Sequence, residues 1–213
     1  MKPLAQAKTR LSPELSESQR VALGRNLLRR VLRAVLRPMK DLSEAPPVEE
    51  AWVVGGDPIV RRIAGEEGAR WSEDQGADIN DTLWRAFQEA ADSGKAALYL
   101  PGDLPFLGPK DVYNTVVASG RLKNLALAPD RQRGGTNGIL VPPSLSQPFR
   151  PQLGPDSFRS HLAQASSLGI PVAICYSPGL ALDLDTLEDV EAYEEMEPGL
   201  METLTSEEDN NAA

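Results

Sequence analysis

The stretch LYLPGDLPFL, residues 98–107, joins an apolar run to a turn that carries an acid. The run from 96 to 100 has the length and composition of a strand buried on both faces of a parallel sheet. Pro101 and Gly102 break the run, and Asp103 lies on the resulting turn. Ligands of open α/β sheets bind outside the carboxyl ends of the strands, so a carboxylate there could hold Mg²⁺ and, through it, phosphate oxygens. The alternative is a turn aspartate that only caps the following helix.

Strand-like and helix-like segments alternate on both sides of this stretch, which is typical of a parallel sheet covered by helices on both faces. The sequence therefore predicts one α/β domain over residues 1–193. The acidic stretch 194–213 shows no periodicity and is predicted to be a disordered tail. The pattern predicts strands at 51–54 and 125–129, helices that begin at Pro58 and Pro109, and a long helix that begins with Ser12 as N-cap and ends near Leu36.

The composition excludes several classes of function. The formal net charge of −9 argues against a nucleic-acid partner. Cys175 is the only cysteine and is expected in the core, so neither an internal disulfide nor a multi-cysteine zinc site can form. His161 is the only histidine, which excludes histidine-based metal clusters. With no membrane-spanning run and no signal-peptide pattern, a cytoplasmic protein without a membrane partner is expected, and a homodimer is left open.

A basic loop precedes the long helix. Lys2, Lys8 and Arg10 lie close together in the first eleven residues, MKPLAQAKTRL. In a nucleotide-binding fold, a loop in this place binds phosphate. The arginines further along the helix are better explained as a solvated face.

Two more stretches combine glycine with polar side chains. Residues 130–138, DRQRGGTNG, follow a predicted strand and offer the hydroxyl of Thr136. Residues 153–158, LGPDSF, place Gly154 and Ser157 at a helix start, where backbone N–H groups suit a carboxylate or a phosphate. The alternative for the second stretch is an ordinary helix capped by Asp156.

A third acidic segment lies near the end of the domain, at 177–190, SPGLALDLDTLEDV. A strand is predicted to end in Asp183 and Asp185, which a period of two places on the same face. Two like carboxylates repel each other unless a cation or hydrogen bonds lie between them, so a metal role is indicated for at least one. The alternative is that Asp185 only caps the helix that begins at Thr186.

Taken in order, KPLAQAKTRL, GDLPFL, APDRQRGGTNGIL, GPDSF and SPGLALDLDTLEDV resemble the successive motifs of the 2-phospho-L-lactate guanylyltransferases, also called phosphoenolpyruvate guanylyltransferases. These are molybdopterin-guanylyltransferase-like nucleotidyltransferases. The resemblance implies a three-layer αβα Rossmann-like fold of the nucleotide-diphospho-sugar transferase type, with a mostly parallel central sheet. It also implies transfer of GMP from GTP to 2-phospho-L-lactate, phosphoenolpyruvate or 3-phosphoglycerate, with release of pyrophosphate, in coenzyme F-420 biosynthesis.

The motifs and the resemblance together suggest a role for each candidate residue. Asp103 and Asp185 are expected to bind Mg²⁺ with support from Asp183, and Lys8, Arg10 and Asp103 are the expected catalytic residues. The nucleotide is expected to contact Lys2, Lys8, Arg10 and Asn80. The resemblance assigns the acid substrate to Thr136, Gly154 and Ser157. At 78–80 this chain reads Asp-Ile-Asn where the family usually reads Gly-Leu-Asn.

The sequence is compatible with two other classes of protein. A glycosyltransferase of similar topology usually carries Asp-x-Asp after a central strand, whereas this chain has Asp103-Leu104-Pro105. A non-catalytic binding module could retain the same fold.

The resemblance also raises a question about the beginning of the chain. In the family, the lysine-proline motif follows a strand at the centre of the sheet, but here Met1 directly precedes Lys2-Pro3. A strand needs about 5–6 residues. We therefore expect the family's first strand to be missing from this chain, and a natural start that lies upstream.

Overall fold

The computed structural model describes residues 1–36 and 48–206, which form an α/β fold. The predicted connection after the first helix lies mostly outside these residues. The strands are β1 Trp52–Val54, β2 Arg70–Ser72, β3 Ala97–Tyr99, β4 Leu125–Pro129, β5 Thr136–Val141 and β6 Val172–Ile174. The helices are α1 Glu17–Leu36, α2 Pro58–Glu66, α3 Ile79–Asp92, α4 Pro109–Ala118, α5 Ser157–Ser167, α6 Pro178–Ala181, α7 Leu187–Met196 and α8 Leu200–Thr205.

The strands form two groups. β1 and β2 pair in parallel, and the larger sheet has the order β3-β5-β4-β6. In the larger sheet β3, β4 and β6 run in one direction and β5 runs against them, with Leu98 opposite Leu140 and Leu127 opposite Ile139. The prediction of a mostly parallel sheet is therefore confirmed.

Helices cover both faces of the larger sheet. On one face, Leu127 of β4 packs in a cluster with Phe87 of α3 and Phe158 of α5. Its neighbour Ala128 points the other way and packs in a cluster with Val31 of α1. The sheet is thus the middle of three layers, as predicted.

Several element boundaries follow from local sequence signals. Asp57 accepts hydrogen bonds from the N–H groups of Ile59 and Val60, which caps α2 with Pro58 at its first position. Helix α4 begins at Pro109, and β4 spans 125–129, both as predicted.

The predicted start of the long helix is wrong. The backbone is a short 3₁₀ turn at Thr9–Leu11, and α1 begins only at Glu17. Ser16 and Gln19 form reciprocal side-chain-to-backbone hydrogen bonds of 3.2 and 2.9 Å, the pattern of a capping box. This reciprocal cap prevails over the weaker signal of Ser12 followed by proline.

The strand before Asp103 also differs from the prediction. All three residues of β3 are partly exposed, and its paired neighbour, β5, is antiparallel. Among residues 1–36 and 48–206, no strand pairs with the other edge of β3 or with the free edge of β1. Met1 lies near the carboxyl ends of both strands. Its amino group donates to the carbonyl oxygen of Val54 in β1, and its side chain lies near Gly102, which follows β3.

The prediction of a disordered tail is wrong for residues 194–206. The end of α7 and the whole of α8 are ordered, and Leu200 and Leu204 are buried with Leu23 and Leu27 of α1. The side-chain amide of Asn26 also donates to the carbonyl oxygen of Leu204 at 2.9 Å. The four-residue spacing of the two leucines gives one apolar face, which the surrounding acids obscure in the sequence. Residues 207–213 lie outside the described part. No helix within the described ranges combines the length and apolar character needed to cross a bilayer.

Candidate active site

A lysine and two carboxylates meet at the carboxyl end of β3. The Nζ atom of Lys8 lies 2.7 Å from Oδ2 of Asp103 and 2.8 Å from Oδ1 of Asp185. It donates a third hydrogen bond of 2.6 Å to the carbonyl oxygen of Leu184. These residues are far apart in sequence, so the fold itself assembles the cluster.

Lys8 is buried, charged and in an uncommon backbone conformation. Its side chain is only 6% exposed, and its φ of 54° places the backbone in the left-handed region that is uncommon for a residue with a side chain. Burial by itself lowers the pKa of Lys8, but the carboxylates of Asp103 and Asp185 outweigh it, and the net pKa is raised. The ammonium group is therefore charged, and its charge balances part of the acidic cluster.

Asp103 has one oxygen that no described residue contacts by a hydrogen bond. Oδ2 accepts from Lys8, but Oδ1 is buried and has no hydrogen-bond partner among the described residues. A buried carboxylate oxygen without a partner is costly, so this atom is available to bind a cation or a hydrogen-bond donor. The helix-cap alternative for Asp103 is wrong, because the N-cap of α4 is Gly108, whose N–H bonds to the carboxylate of Asp111.

The segment that carries the other two acids is not a strand, contrary to prediction, but its side chains do alternate. Leu182 and Leu184 are buried in the core, while Asp183 and Asp185 face the site. The N–H of Leu184 donates to the carbonyl oxygen of Asp103 at 3.1 Å, which ties this segment to the end of β3. Asp185 is not the helix cap either, because Thr186 occupies the N-cap of α7.

Asp183, the third acid, is half-buried. Desolvation raises its pKa, the hydrogen bond of 3.1 Å from Nδ2 of Asn137 opposes that shift, and the nearby carboxylates of Asp103 and Asp185 raise the pKa further. The carboxylates of Asp103 and Asp185 thus disfavour the charged form of Asp183, which a positive charge beside it would favour.

The predicted basic loop borders an open cleft of about 350 Å³ above this cluster. Lys2, Lys8 and Arg10 line the cleft together with Asp103 and Asp185. The side chain of Arg10 is 74% exposed, and its Nη1 lies 4.0 Å from Oδ2 of Asp185. An exposed arginine beside a buried lysine suits an anion that enters from solvent.

The residues assigned to the acid substrate also come together. Oγ of Ser157, at the first position of α5, donates to Oγ1 of Thr136 at 3.1 Å, and both side chains are buried. Gly154 has a φ of 140°, a conformation that favours glycine, and its carbonyl accepts from the N–H of Ser157. Asp156 makes no side-chain cap hydrogen bond, so the ordinary-cap alternative is wrong.

Strand β5 connects the two groups. Thr136 belongs to the hydroxyl pair, and the adjacent Asn137 bonds to Asp183. Consecutive residues of one strand therefore contact the acidic cluster and the residues assigned to the acid substrate. We call the latter, Thr136, Gly154 and Ser157, the candidate acid pocket.

Asn80 lies beside the second group. Its Nδ2 donates to the carbonyl oxygen of Leu153 at 3.1 Å, and its Oδ1 accepts from the N–H of Leu153 at 2.6 Å. Both ends of its amide thus hold the loop that leads to Gly154. Its predicted contact with the nucleotide remains a prediction.

One residue of this region was not assigned from the sequence. His161 is fully buried in α5, with Nδ1 3.0 Å from Oγ1 of Thr136 and Nε2 accepting from the N–H of Gln152 at 2.8 Å. The only sequence signal is its position four residues after Ser157, which places both on one face of a helix.

Comparison with known proteins identifies the family to which these sites belong. Residues 1–195 match the family described as guanylyl transferase CofC like. The chain belongs to this family. It is 34% identical to the phosphoenolpyruvate guanylyltransferase of Rubrobacter xylanophilus over 195 residues, 91% of this chain and 90% of the relative. It is 32% identical to the 2-phospho-L-lactate guanylyltransferase of Methanothermobacter thermautotrophicus over 185 residues, 86% of this chain and 77% of that protein.

The fold of this CofC-like chain agrees with that of known transferases. A protein from Desulfovibrio desulfuricans G20, described as a nucleotide-diphospho-sugar transferase, superposes with a TM-score of 0.71 at 19% identity, over 93% of this chain and 85% of that one. A CMP:2-keto-3-deoxy-manno-octonic acid synthetase superposes with a TM-score of 0.54 at 14% identity, over 80% of this chain and 86% of that one. The predicted fold type and the predicted nucleotidyltransferase class are confirmed.

The buried histidine makes the stability of this CofC-like chain depend on pH. Burial lowers the pKa of His161 to about 4, below its usual value of 6.5. The unfolded chain therefore binds more protons than the folded chain between these values, so stability is full above pH 6.5 and falls as the pH drops. We expect a loss of about 2 kcal/mol in the free energy of unfolding between pH 7 and pH 5. Urea denaturation at both pH values measures it, and in His161→Asn this part of the pH dependence should vanish.

Proposed function

We propose that this chain transfers GMP from GTP to a small phosphorylated three-carbon acid and releases pyrophosphate. The observation that carries the proposal is the bridge from Lys8 to Asp103 and Asp185 in a cleft bordered by basic residues. Through Asn137, which bonds to Asp183, strand β5 links this cluster to the Thr136–Ser157 pair. The relatives named above act on phosphoenolpyruvate and on 2-phospho-L-lactate, as their names state. The family match does not favour a glycosyltransferase.

The reaction needs charge control more than covalent chemistry. A phosphate oxygen of the acceptor attacks the α-phosphorus of GTP, and the bond to the leaving pyrophosphate breaks. Both partners are anions, so they meet only where positive charge screens them. Lys2 and Arg10 border the cleft and would bind the triphosphate, while the fixed ammonium of Lys8 lies at its floor.

The acids of the cleft fit a divalent cation. Asp103 gives one oxygen to Lys8 and keeps Oδ1, which is buried and has no hydrogen-bond partner within the described residues. Asp185 bonds Lys8 through Oδ1, and its more exposed Oδ2 lies 4.0 Å from Nη1 of Arg10. Oxygen donors of this kind are the ligands that Mg²⁺ prefers. Asp103 and Asp185 would hold the ion, with Asp183 adjacent. When bound, Mg²⁺ supplies charge neutralisation at the phosphate oxygens.

The acid pocket supplies neutral hydroxyl groups. Thr136 of β5 and Ser157 at the first position of α5 form a hydrogen-bonded pair, and the helix dipole at the start of α5 also favours an anion. Gly154 allows the backbone there to approach a ligand without a side chain in between.

Measuring pyrophosphate release tests the proposal directly. GTP and Mg²⁺ are mixed with the chain and with phosphoenolpyruvate, 2-phospho-L-lactate or 3-phosphoglycerate in turn. We expect release with at least one acid, dependence on that acid, and a much weaker signal when ATP or CTP replaces GTP. Absence of release with all three acids would contradict the proposal.

A substitution at the acid pocket should separate the two substrates. In Ser157→Ala the pocket loses a buried hydroxyl, and we expect the KM for the acid to rise about tenfold, the scale of one hydrogen bond near a charged group. The KM for GTP should change far less. Steady-state kinetics with each substrate varied in turn measure both values. A rise in the GTP value alone would show that the two substrates have been assigned to each other's pockets.

A further inference from the structure

His161 connects two parts of the candidate acid pocket without lining the cleft itself. It is the only histidine of the chain, it is fully buried, and it contacts the side chain of Thr136 on one side and the backbone of Gln152 on the other. Phe149 packs against the ring with centroids 5.6 Å apart. A buried polar ring that is bonded at both nitrogens has a fixed orientation.

The contacts of His161 determine which nitrogen carries its proton. The N–H of Gln152 can only donate, so Nε2 must offer its lone pair. Burial keeps the ring neutral at ordinary pH, because it lowers the pKa to about 4. A neutral ring has one proton, which must then be on Nδ1. His161 therefore donates to Oγ1 of Thr136 across the 3.0 Å contact.

Thr136 receives a second hydrogen bond from the other side. Oγ of Ser157 donates to the same Oγ1 atom at 3.1 Å. A hydroxyl oxygen has two lone pairs and one proton. Both lone pairs of Thr136 are thus engaged by His161 and Ser157, and its own proton is left to be donated.

We propose that His161 is a positioning residue that orients the hydroxyl of Thr136 as a donor toward an anionic oxygen of the acid substrate. This rests on the proposed function, because it specifies how the acid end is recognised. Without the donor from His161, the hydroxyl can rotate and present a lone pair to the anion, which is repulsive. His161 also fixes Gln152, and Asn80 fixes Leu153, so the backbone before Gly154 is held from two sides.

The first test is structural and needs no substrate. Because the chain has a single histidine, its two ring nitrogens give assignable nitrogen-15 resonances. At pH 7 we expect a protonated-type signal for Nδ1 and an unprotonated-type signal for Nε2. The opposite tautomer would overturn the proposal whatever the enzyme acts on.

The second test uses three substitutions. His161→Phe keeps a ring beside Phe149 but loses both hydrogen bonds, and we expect it to raise the KM for the acid about tenfold while the KM for GTP stays within about twofold. His161→Asn places an amide N–H near the position of Nδ1 and should recover most of that loss. In the background of Thr136→Val, His161→Phe should add much less loss than it causes alone, because most of its effect passes through Thr136 and only the bond to Gln152 is left to lose. Thermal unfolding reports whether each variant folds.

Thr115→Val is the matched control. Thr115 is a buried threonine whose hydroxyl bonds to the carbonyl of Asp111 and to Cys175, on another part of the fold. We expect this variant to lose stability but to keep the KM for the acid. Additive effects of the His161 and Thr136 substitutions, or equal rises in both KM values, would overturn the positioning role. Wild-type protein that releases no pyrophosphate would instead contradict the proposed function. The tautomer measurement would still test the hydrogen bonds from Gln152 to His161 and from His161 to Thr136.

Discussion

Replacing Asp103 with asparagine should reduce turnover by at least about a hundredfold, the scale of losing one strong electrostatic contact in a transition state. The change keeps the shape of the side chain and removes its charge. It also places an amide group where the unsatisfied Oδ1 and the Lys8-bound Oδ2 now lie. The cation would lose a ligand, and the ammonium of Lys8 would keep only one of its two carboxylates, that of Asp185.

Two measurements distinguish this outcome from general damage. Direct titration with Mn²⁺, followed by electron paramagnetic resonance, should show weaker ion binding in Asp103→Asn, and thermal unfolding should show an intact fold. Asp92→Asn, an exposed acid at the end of α3, is the matched control and should keep full turnover. Turnover near the wild-type value at saturating Mg²⁺ would refute the metal role of Asp103.

Local signals were sufficient to predict many elements. Proline at the first helical position located α2 and α4, and the uninterrupted apolar run located β4. These signals act over a few residues, so the sequence displays them directly. The start of α1 was missed because two cap signals compete, and Ser16 with Gln19 satisfies more backbone groups than Ser12 does.

The sequence indicated most residues of the candidate site but not the contacts that join them. The basic loop, Asp103, Asp185 and the Thr136–Ser157 pair were all identified from the sequence. The contact of Lys8 with phosphate stays a prediction, and the bridge that Lys8 forms between two acids was not foreseen. That bridge joins positions separated by 95 and 177 residues, which no local pattern encodes. His161 was missed for a related reason, because its role depends on the backbone N–H of Gln152, and a backbone group carries no sequence signal.

The strands of the described ranges form two separate sheets, and each sheet has a strand with an unpaired edge. β1 pairs only with β2, and β3 only with β5, among the strands of the described ranges. Met1 lies between their carboxyl ends, and its amino group donates to the carbonyl oxygen of Val54. Desolvation lowers the pKa of this amino group, against the opposing effect of Asp74, because a charged terminus is unfavourable there. Residues joined in front of Met1 would run toward it between β1 and β3.

We therefore expect an engineered extension of five valine and isoleucine residues ahead of Met1 to stabilise the fold by about 3 kcal/mol. New strand hydrogen bonds and apolar burial should exceed the entropy lost in ordering the segment. The melting temperature should rise by about 10 °C. Amide hydrogen exchange should slow at Trp52–Val54 and at Ala97–Tyr99, the two edges that gain partners. A glycine-serine extension of equal length is the control, since it replaces the charged terminus without supplying apolar side chains. Equal stability and equal exchange in the two extended proteins would show that the space between β1 and β3 does not accept a strand.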